Sequence, residues 1–149
     1  MPSKEALKEA LGLKDVTRAG WILAGVQNPE SVASHSWGMA LLATQLCPQE
    51  LNLQRVLELC ILHDIAEVHV GDITPHDNVT AEEKHRLESE AIQHMGIDAS
   101  EAFAEYEAQQ SDESKFVRYL DKLDMALQAE IYEGQDLDLS EFKMAVDDW

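Results

Sequence analysis

The residues best suited to chemistry are the adjacent pair His63 and Asp64, with Glu67 three positions further on. They follow an apolar run that is typical of a buried helix. On that helix His63 and Glu67 would share a face, with Asp64 about 100° round from His63. Burying an imidazole beside a carboxylate costs several kcal/mol unless the groups are paired or bind a cation. The pattern therefore indicates a divalent metal site at the end of this helix.

Two other helical segments place a polar residue among apolar ones. His35 lies between Val32 and Met39, which are predicted to face the core. Asp121 interrupts an apolar run at helical spacing, formed by Phe116, Val117, Leu120 and Leu123. Metal sites in helical bundles are assembled in this way, from side chains of several helices. Two imidazoles and two carboxylates suit manganese, cobalt, iron, nickel, zinc or magnesium, and leave positions open for water and substrate.

Taken singly, each of these residues also has a structural interpretation. A lone histidine on an apolar face is usually a hydrogen-bonded core residue, and a His-Asp dipeptide occurs by chance. We expect surface positions, or positions behind the ligands, for the remaining histidines, His69, His76, His85 and His94. Cys47 and Cys60 have no CxxC partner and are predicted to be buried, reduced thiols.

Helical spacing dominates the chain and hairpin turns are absent, so the sequence predicts an all-α fold. We expect one domain over residues 1–149, a bundle of about six to eight helices. The predicted helices are 4–11, 15–23, 32–47, 53–69, 81–95, one that starts at Asp98 or Ser100, 112–133, and a short one after Ser140. Their predicted caps are Ser3, Ser31, Asn52, Thr80 and Ser111.

Charge narrows the choice of partners. The chain carries 29 acidic and 11 basic residues, a formal net charge of -18. Such a surface repels polyanions, so we expect neither nucleic acid nor an anionic membrane as a partner. A small phosphate ester can still bind where a metal inverts the local potential. The acidic bias also suggests a halophilic, high-salt host, and the charged N-terminus suggests a cytoplasmic location.

Seven stretches, together with His35 and Asp121, resemble the HD-domain phosphohydrolases, in particular the 5′-deoxynucleotidase and HD domain-containing protein 2 branch. Their order and approximate spacing both agree with that branch, over about residues 12–133. The stretches are RAGW (18–21), VQNPESV (26–32), LHDIAE (62–67), VGDITP (70–75), EEKH (82–85), EYE (105–107) and KFVR (115–118).

The resemblance implies a helical domain, commonly homodimeric, that uses a divalent metal to remove the 5′-phosphate from deoxynucleoside monophosphates. By this resemblance the metal ligands would be His35, His63, Asp64 and Asp121. Glu67 would orient or deprotonate the attacking water, and Asp72 would be a second catalytic acid. A second metal ion would lie near Glu67, Asp72 and the carbonyl of Ile73.

Substrate contacts are expected on either side of these ligands. The family's substrate groove uses an Arg and a Trp before the first His, which correspond here to Arg18 and Trp21. Gly20 stands where the bacterial nucleotidases have Arg, so Arg18 is expected to act from one turn earlier. Lys122, next to Asp121, is a candidate to hold the phosphate, and Trp21 to pack against the sugar or base. The structural alternatives are a solvated helix face for Lys122 and a core position for Trp21.

Other functions fit parts of the same pattern. A different HD-type hydrolase would act on a deoxynucleoside triphosphate, a cyclic phosphodiester or a guanosine alarmone. A non-catalytic nucleotide-binding module would keep the metal for structure alone, which the intact Glu67 and Asp72 argue against. An acidic interaction protein with a chance His-Asp pair would bind no transition metal.

Overall fold

The computed structural model describes residues 1–74 and 77–133, and the predicted all-α class is confirmed there. The helices are α1 Lys4–Ala10, a 3₁₀ segment Leu11–Asp15, α2 Ala19–Leu23, α3 Val32–Leu46, α4 Leu53–Leu62, α5 Glu67–Val70, α6 Ala81–His94, α7 Ser100–Ala108 and α8 Asp112–Tyr132. The predicted helix after Ser140, and His76, lie outside the described residues. Within the described ranges, no helix combines the length and hydropathy of a membrane span.

All five predicted N-caps are present. The first N–H groups of a helix lack partners within it, and an oxygen on the preceding side chain can accept from one of them. Such bonds, of 3.0 to 3.2 Å, start five helices, with acceptors on Ser3, Ser31, Asn52, Thr80 and Ser111. These local contacts explain why the sequence predicts where α1, α3, α4, α6 and α8 begin.

The helix predicted for residues 53–69 is interrupted at residues 63–66, and its last part belongs to the separate helix α5. Nδ1 of His63 lies 2.9 Å from the carbonyl oxygen of Cys60, which the next turn of an α-helix would use. The following backbone bonds, such as that from the N–H of Glu67 to the carbonyl of Asp64, span three residues instead of four. Residues 63–66 therefore form a tight turn, and α5 begins at Glu67.

The helix predicted for residues 15–23 begins only at Ala19. Thr17 and Ser31 form an isolated antiparallel bridge, in which the N–H of Val32 donates to the carbonyl of Val16 at 2.7 Å. Backbone groups in this bridge are not available to a helix. The segment before α2 is therefore extended, and it ties α2 to the start of α3.

The core beneath the site is formed by α3, α4, α7 and α8. Its buried residues form one cluster of Met39, Ala43, Val56, Leu59, Cys60, Ala102, Val117 and Leu120. The predicted ligands lie at the edge of this cluster, since His35 is one turn before Met39 and Asp121 follows Leu120. Close packing of these helices fixes where the polar residues meet.

Two predictions about burial need correction. Helix α4 is buried on one face only, because Ile61 is 54% exposed. Cys47 caps the end of α3 and is only partly buried, whereas Cys60 is fully buried and burial raises its thiol pKa to about 12. Both cysteines are free thiols, as predicted.

Candidate functional site

The structure brings together the four residues that the sequence singled out as ligands. His35 comes from α3, His63 and Asp64 from the turn after α4, and Asp121 from α8. One ligand atom from each lies within 4.8 Å of the others. His35 Nε2 is 2.6 Å from Asp121 Oδ1, and His63 Nε2 is 2.9 Å from Asp64 Oδ2 and 3.8 Å from Asp121 Oδ1.

The ring of His63 shows that this cluster fits a cation. Its Nδ1 faces the carbonyl of Cys60, which only accepts hydrogen bonds, so Nδ1 carries the proton in the neutral ring. The Nε2 lone pair then points toward the carboxylates of Asp64 and Asp121. Nε2 is buried, and no described residue forms a properly oriented hydrogen bond with it. A divalent ion would satisfy both the ring nitrogen and the carboxylates.

Ion pairing in the cluster keeps the Asp121 carboxylate ionised. Burial lowers the pKa of His35, but its hydrogen bonds with Asp121 and Asp124 raise it to about 8. Burial raises the pKa of Asp121, but the hydrogen bond with His35 and the proximity of the His35 and His63 imidazoles hold it well below its usual range. Asp121 is thus kept ionised, as a carboxylate ligand must be.

A cavity of about 500 Å³ opens beside the cluster, a size that suits a small-molecule ligand. Its polar lining combines acids with two cations, namely Asp64, Glu67, Asp72, Asp121, Arg18 and Lys84. The apolar and aromatic lining includes Trp21, Ile73, Tyr106 and Met125. His35 contributes no part of the lining and lies behind Asp121.

Glu67 is a buried carboxyl group of the cavity with a strongly raised pKa. It is the first residue of α5 and only 4% exposed. Burial, followed by the charges of Asp64 and Asp72, raises its pKa to about 10. Among the described residues its Oε2 atom has no hydrogen-bond partner. An excess of buried acid of this kind calls for positive charge in the cavity.

Asp72 both lines the cavity and holds one of its walls. Its Oδ2 accepts a 2.7 Å hydrogen bond from the N–H of Ala19, the first residue of α2. It also acts on the neighbouring Arg18: burial opposes the guanidinium charge, but Asp121, Asp72, Asp64 and Glu30 raise the pKa of Arg18. Asp72 therefore fixes the end of α2 that carries Arg18 and Trp21.

Trp21 reaches the cavity as part of its packed wall. Its side chain is 1% exposed, and its ring meets Tyr132 edge-on with the centroids 5.2 Å apart. Trp21 is therefore a core residue, as one alternative from the sequence predicted, and it also lines the cavity. Its contact with the sugar or base stays a prediction.

Lys122 does not reach the cavity, and Lys84 does. Lys122 is exposed, because one residue along α8 turns the side chain about 100° away from Asp121. Lys84 lies in the first turns of α6 and lines the cavity. Glu88, one turn further on, is buried, and burial raises its pKa to about 7 while Lys84 opposes the shift. The sequence signal for the cavity-facing side of α6 was the four-residue spacing of Lys84 and Glu88, which places both on one face of the helix.

Sequence reasoning also missed Asp124 and Gly38. Asp124 Oδ2 lies 2.7 Å from His35 Nδ1, on the side of the ring away from Asp121. A Cβ atom on Gly38 would lie 2.2 Å from Asp124 Oδ1. The signal was regular spacing, since Asp124 follows Asp121 by three residues and Gly38 follows His35 by three.

The remaining described histidines are exposed, as predicted. His69 pairs with Glu9, the His85 ring stacks against Phe103 of α7, and His94 is the last residue of α6. None of these three lines the cavity.

Comparisons with known proteins agree with this geometry. The HD domain family profile matches residues 11–147. The 5′-deoxynucleotidase hdd1 of Schizosaccharomyces pombe is 42% identical over 149 residues, which covers 89% of this chain and 75% of that protein. The 5′-deoxynucleotidase HDDC2 of Homo sapiens is 44% identical over 129 residues, which covers 81% of this chain. A crystal structure from Pyrococcus horikoshii OT3 has a TM-score of 0.88 and 33% identity, and the match covers 96% of this chain and 86% of that one.

The coverage of the curated relatives is partial. This chain spans 63% of the length of the human relative and 75% of the Schizosaccharomyces pombe relative.

Metal binding should separate the four clustered residues from Glu67. We expect His63→Ala and Asp64→Ala to lose most bound Mn²⁺ after equilibrium dialysis, because each removes a donor from a buried set. Glu67→Ala should keep the ion that the four clustered residues hold. Elemental analysis measures the content, with His69→Ala as an exposed-histidine control. Wild-type metal content in His63→Ala would reject the cluster as the metal site.

Proposed function

This chain belongs to the HD-domain family, and we propose that it is a metal-dependent phosphohydrolase that removes the 5′-phosphate from deoxynucleoside monophosphates. The observation that carries the proposal is the meeting of two imidazoles and two carboxylates beside a cavity lined by Arg18 and Lys84. The curated relatives named 5′-deoxynucleotidases support the choice of substrate. A homodimeric state and a cytoplasmic location remain predictions from the sequence.

In this proposal His35, His63, Asp64 and Asp121 hold the metal ion. A divalent ion bound there would lower the pKa of a water toward neutral and offset negative charge on the phosphoryl group. Nitrogen and oxygen donors together suit Mn, Co, Fe, Ni or Zn, with Mg as a further option. Glu67, Asp72 and Ile73 line the same cavity and are proposed for a second ion.

Glu67 is proposed as the residue that takes the proton from the attacking water. It lies in the cavity wall with its Oε2 atom unpaired among the described residues. Burial and the charges of Asp64 and Asp72 raise its pKa, so positive charge placed among these carboxylates shifts Glu67 toward its basic, ionised form. Glu67, which favours its protonated form without a cation nearby, would thus be ionised and act as a base once the metal ion is bound.

Arg18 and Lys84 are proposed to hold the phosphate. They line the cavity from α2 and α6 and are the cationic residues of its lining in the described part of the chain. Arginine can bind phosphate oxygens through two parallel hydrogen bonds, whereas lysine acts as a point charge. The apolar surfaces of Tyr106, Met125 and Trp21 would then border the sugar and base.

A phosphate-release assay tests the function directly. We expect orthophosphate from deoxynucleoside monophosphates in the presence of a divalent metal, at low and high salt, and none after chelation. The panel includes ribonucleotides, deoxynucleoside triphosphates and cyclic phosphodiesters. Tripolyphosphate or pyrophosphate as the main product would favour another HD-type nucleotide hydrolase. Nucleotide binding without turnover by the metal-loaded protein would indicate a binding module.

Loss of Glu67 should reduce turnover without loss of the ion that His35, His63, Asp64 and Asp121 hold. General base catalysis contributes about 10²- to 10⁴-fold to a reaction rate, so the kcat of Glu67→Ala should be lower than that of the wild type by a factor in this range. Glu130→Ala, an exposed substitution on α8, is the control and should match the wild type. Unimpaired hydrolysis by metal-loaded Glu67→Ala would remove this residue from the mechanism.

The two lysines offer a matched comparison for phosphate binding. Lys84→Ala should lower kcat/KM roughly 10- to 100-fold, since a hydrogen bond to a charged group is worth about 1.5–3 kcal/mol. Lys84→Arg should retain part of the activity, and Lys122→Ala should match the wild type because Lys122 lies outside the cavity. The thermal unfolding temperature of each Lys84 variant is compared with that of the wild type, to check that the fold tolerates the buried Glu88 without Lys84. Equal losses in the Lys84 and Lys122 variants would contradict this assignment.

A further inference from the structure

We propose that Asp124 is a positioning residue that presents His35 to the metal ion, and that Gly38 is required because Asp124 must reach the His35 ring. This inference rests on the proposed role of His35 as a ligand. It adds one side chain and one glycine to the site, both outside the cavity lining.

The geometry of the His35 ring carries the inference. Its Nδ1 lies 2.7 Å from Asp124 Oδ2, and its Nε2 lies 2.6 Å from Asp121 Oδ1. The His35 side chain is fully buried, and the Asp124 carboxylate is largely buried beside it. Both carboxylates only accept hydrogen bonds, so if Asp121 and Nε2 bind the proposed ion, the ring proton lies on Nδ1, where Asp124 accepts it. Nε2 is then the nitrogen whose lone pair faces the proposed centre.

His63 provides an internal comparison. Its Nδ1 faces the carbonyl of Cys60, and its Nε2 faces the same centre. Both histidines thus present Nε2, each held by an acceptor on the far side of its ring. The acceptor is neutral for His63 and charged for His35. A carboxylate behind a ligating histidine fixes the ring and strengthens it as a ligand, which gives Asp124 a larger effect than a carbonyl has.

Gly38 makes room for this contact. It lies on α3 three residues after His35, on the same side of the helix. A Cβ at this position would lie 2.2 Å from Asp124 Oδ1 and 3.1 Å from its Cγ, so any other residue would push the carboxylate away from the ring. Glycine inside a helix is less favourable than alanine, and the approach of Asp124 supplies a physical reason for it here.

The ligand and the positioning residue share one element. Asp121 and Asp124 are three residues apart on α8 and therefore lie on the same face. They contact the two nitrogens of His35 from opposite sides. Packing of α3 against α8 thus sets the ring between the two carboxylates. The same contact could serve stability alone, and metal affinity distinguishes the two roles.

The test is a calorimetric titration of the chelator-treated full chain with Zn²⁺ alone. We expect Asp124→Ala to weaken Zn²⁺ binding about 10- to 100-fold, as loss of a residue that orients a ligand does. Asp124→Asn keeps an amide oxygen that accepts from Nδ1–H and should recover part of the affinity. Gly38→Ala should weaken binding although Asp124 is unchanged. Gly12→Ala is the control, because its Cβ would meet only Val68 Cγ1, at an ordinary 3.8 Å.

A spectroscopic measurement reports the ring directly. In ¹⁵N spectra of the Zn²⁺-loaded protein, His35 should show its proton on Nδ1. This proton should exchange faster with water in Asp124→Ala and Gly38→Ala. Circular dichroism of each metal-free variant establishes that it is folded before either measurement.

Three outcomes would overturn the proposal. One is a folded Asp124→Ala variant that binds Zn²⁺ within about twofold of the wild type. Another is an equal loss in Asp124→Asn and Asp124→Ala, which would show that a hydrogen-bond acceptor at Nδ1 does not orient the ring. The third concerns His35→Ala: unchanged affinity would reject the metal site itself, whereas a loss there with none in Asp124→Ala would reject only the positioning role.

Discussion

The cost of burying imidazole and carboxylate groups without water is the constraint on which this structure depends. His35, His63, Asp64 and Asp121 are brought within a few ångströms by helices whose apolar faces pack below them. Packing alone would leave these groups in an unfavourable state. A cation at the centre, together with acceptors behind the two rings, resolves the conflict. The stable fold and the proposed chemistry are therefore two consequences of one electrostatic arrangement.

The turn at His63 connects the fold with the proposed chemistry. The bond between the His63 ring and the Cys60 carbonyl ends α4 and at the same time points Nε2 toward Asp64 and Asp121. The tight turn that follows starts α5 at Glu67, which places that carboxyl in the cavity wall. A regular helix through residue 69 would have put His63 and Glu67 on one face without this change of direction. The local departure from helical geometry thus helps to build the site.

Sequence reasoning succeeded where the signals are local or repeated. The N-caps need only a side chain and a backbone group three residues away, and His35 and Asp121 stand out as polar residues among apolar ones. It failed where the decisive contact is distant in the chain. Lys122 is adjacent to a proposed ligand yet points elsewhere, whereas Lys84 enters the cavity because α6 packs beside α5. The roles of Asp124 and Gly38 can be recognised only when the packing of α3 against α8 is known, because their contacts join these two helices.

Charge also limits what the cavity can accept. With a net charge of -18, the chain repels anions over most of its surface, and positive potential must be concentrated at the site to bind a phosphate. Arg18, Lys84 and a divalent ion would concentrate it within about 500 Å³. A mononucleotide places its dianionic phosphate inside that volume and little charge outside it. A nucleic acid strand would extend further phosphates over acidic surface, where each is repelled. The same acidic composition that argues against polyanions thus favours a small phosphate ester, provided that the metal and the two cations act together.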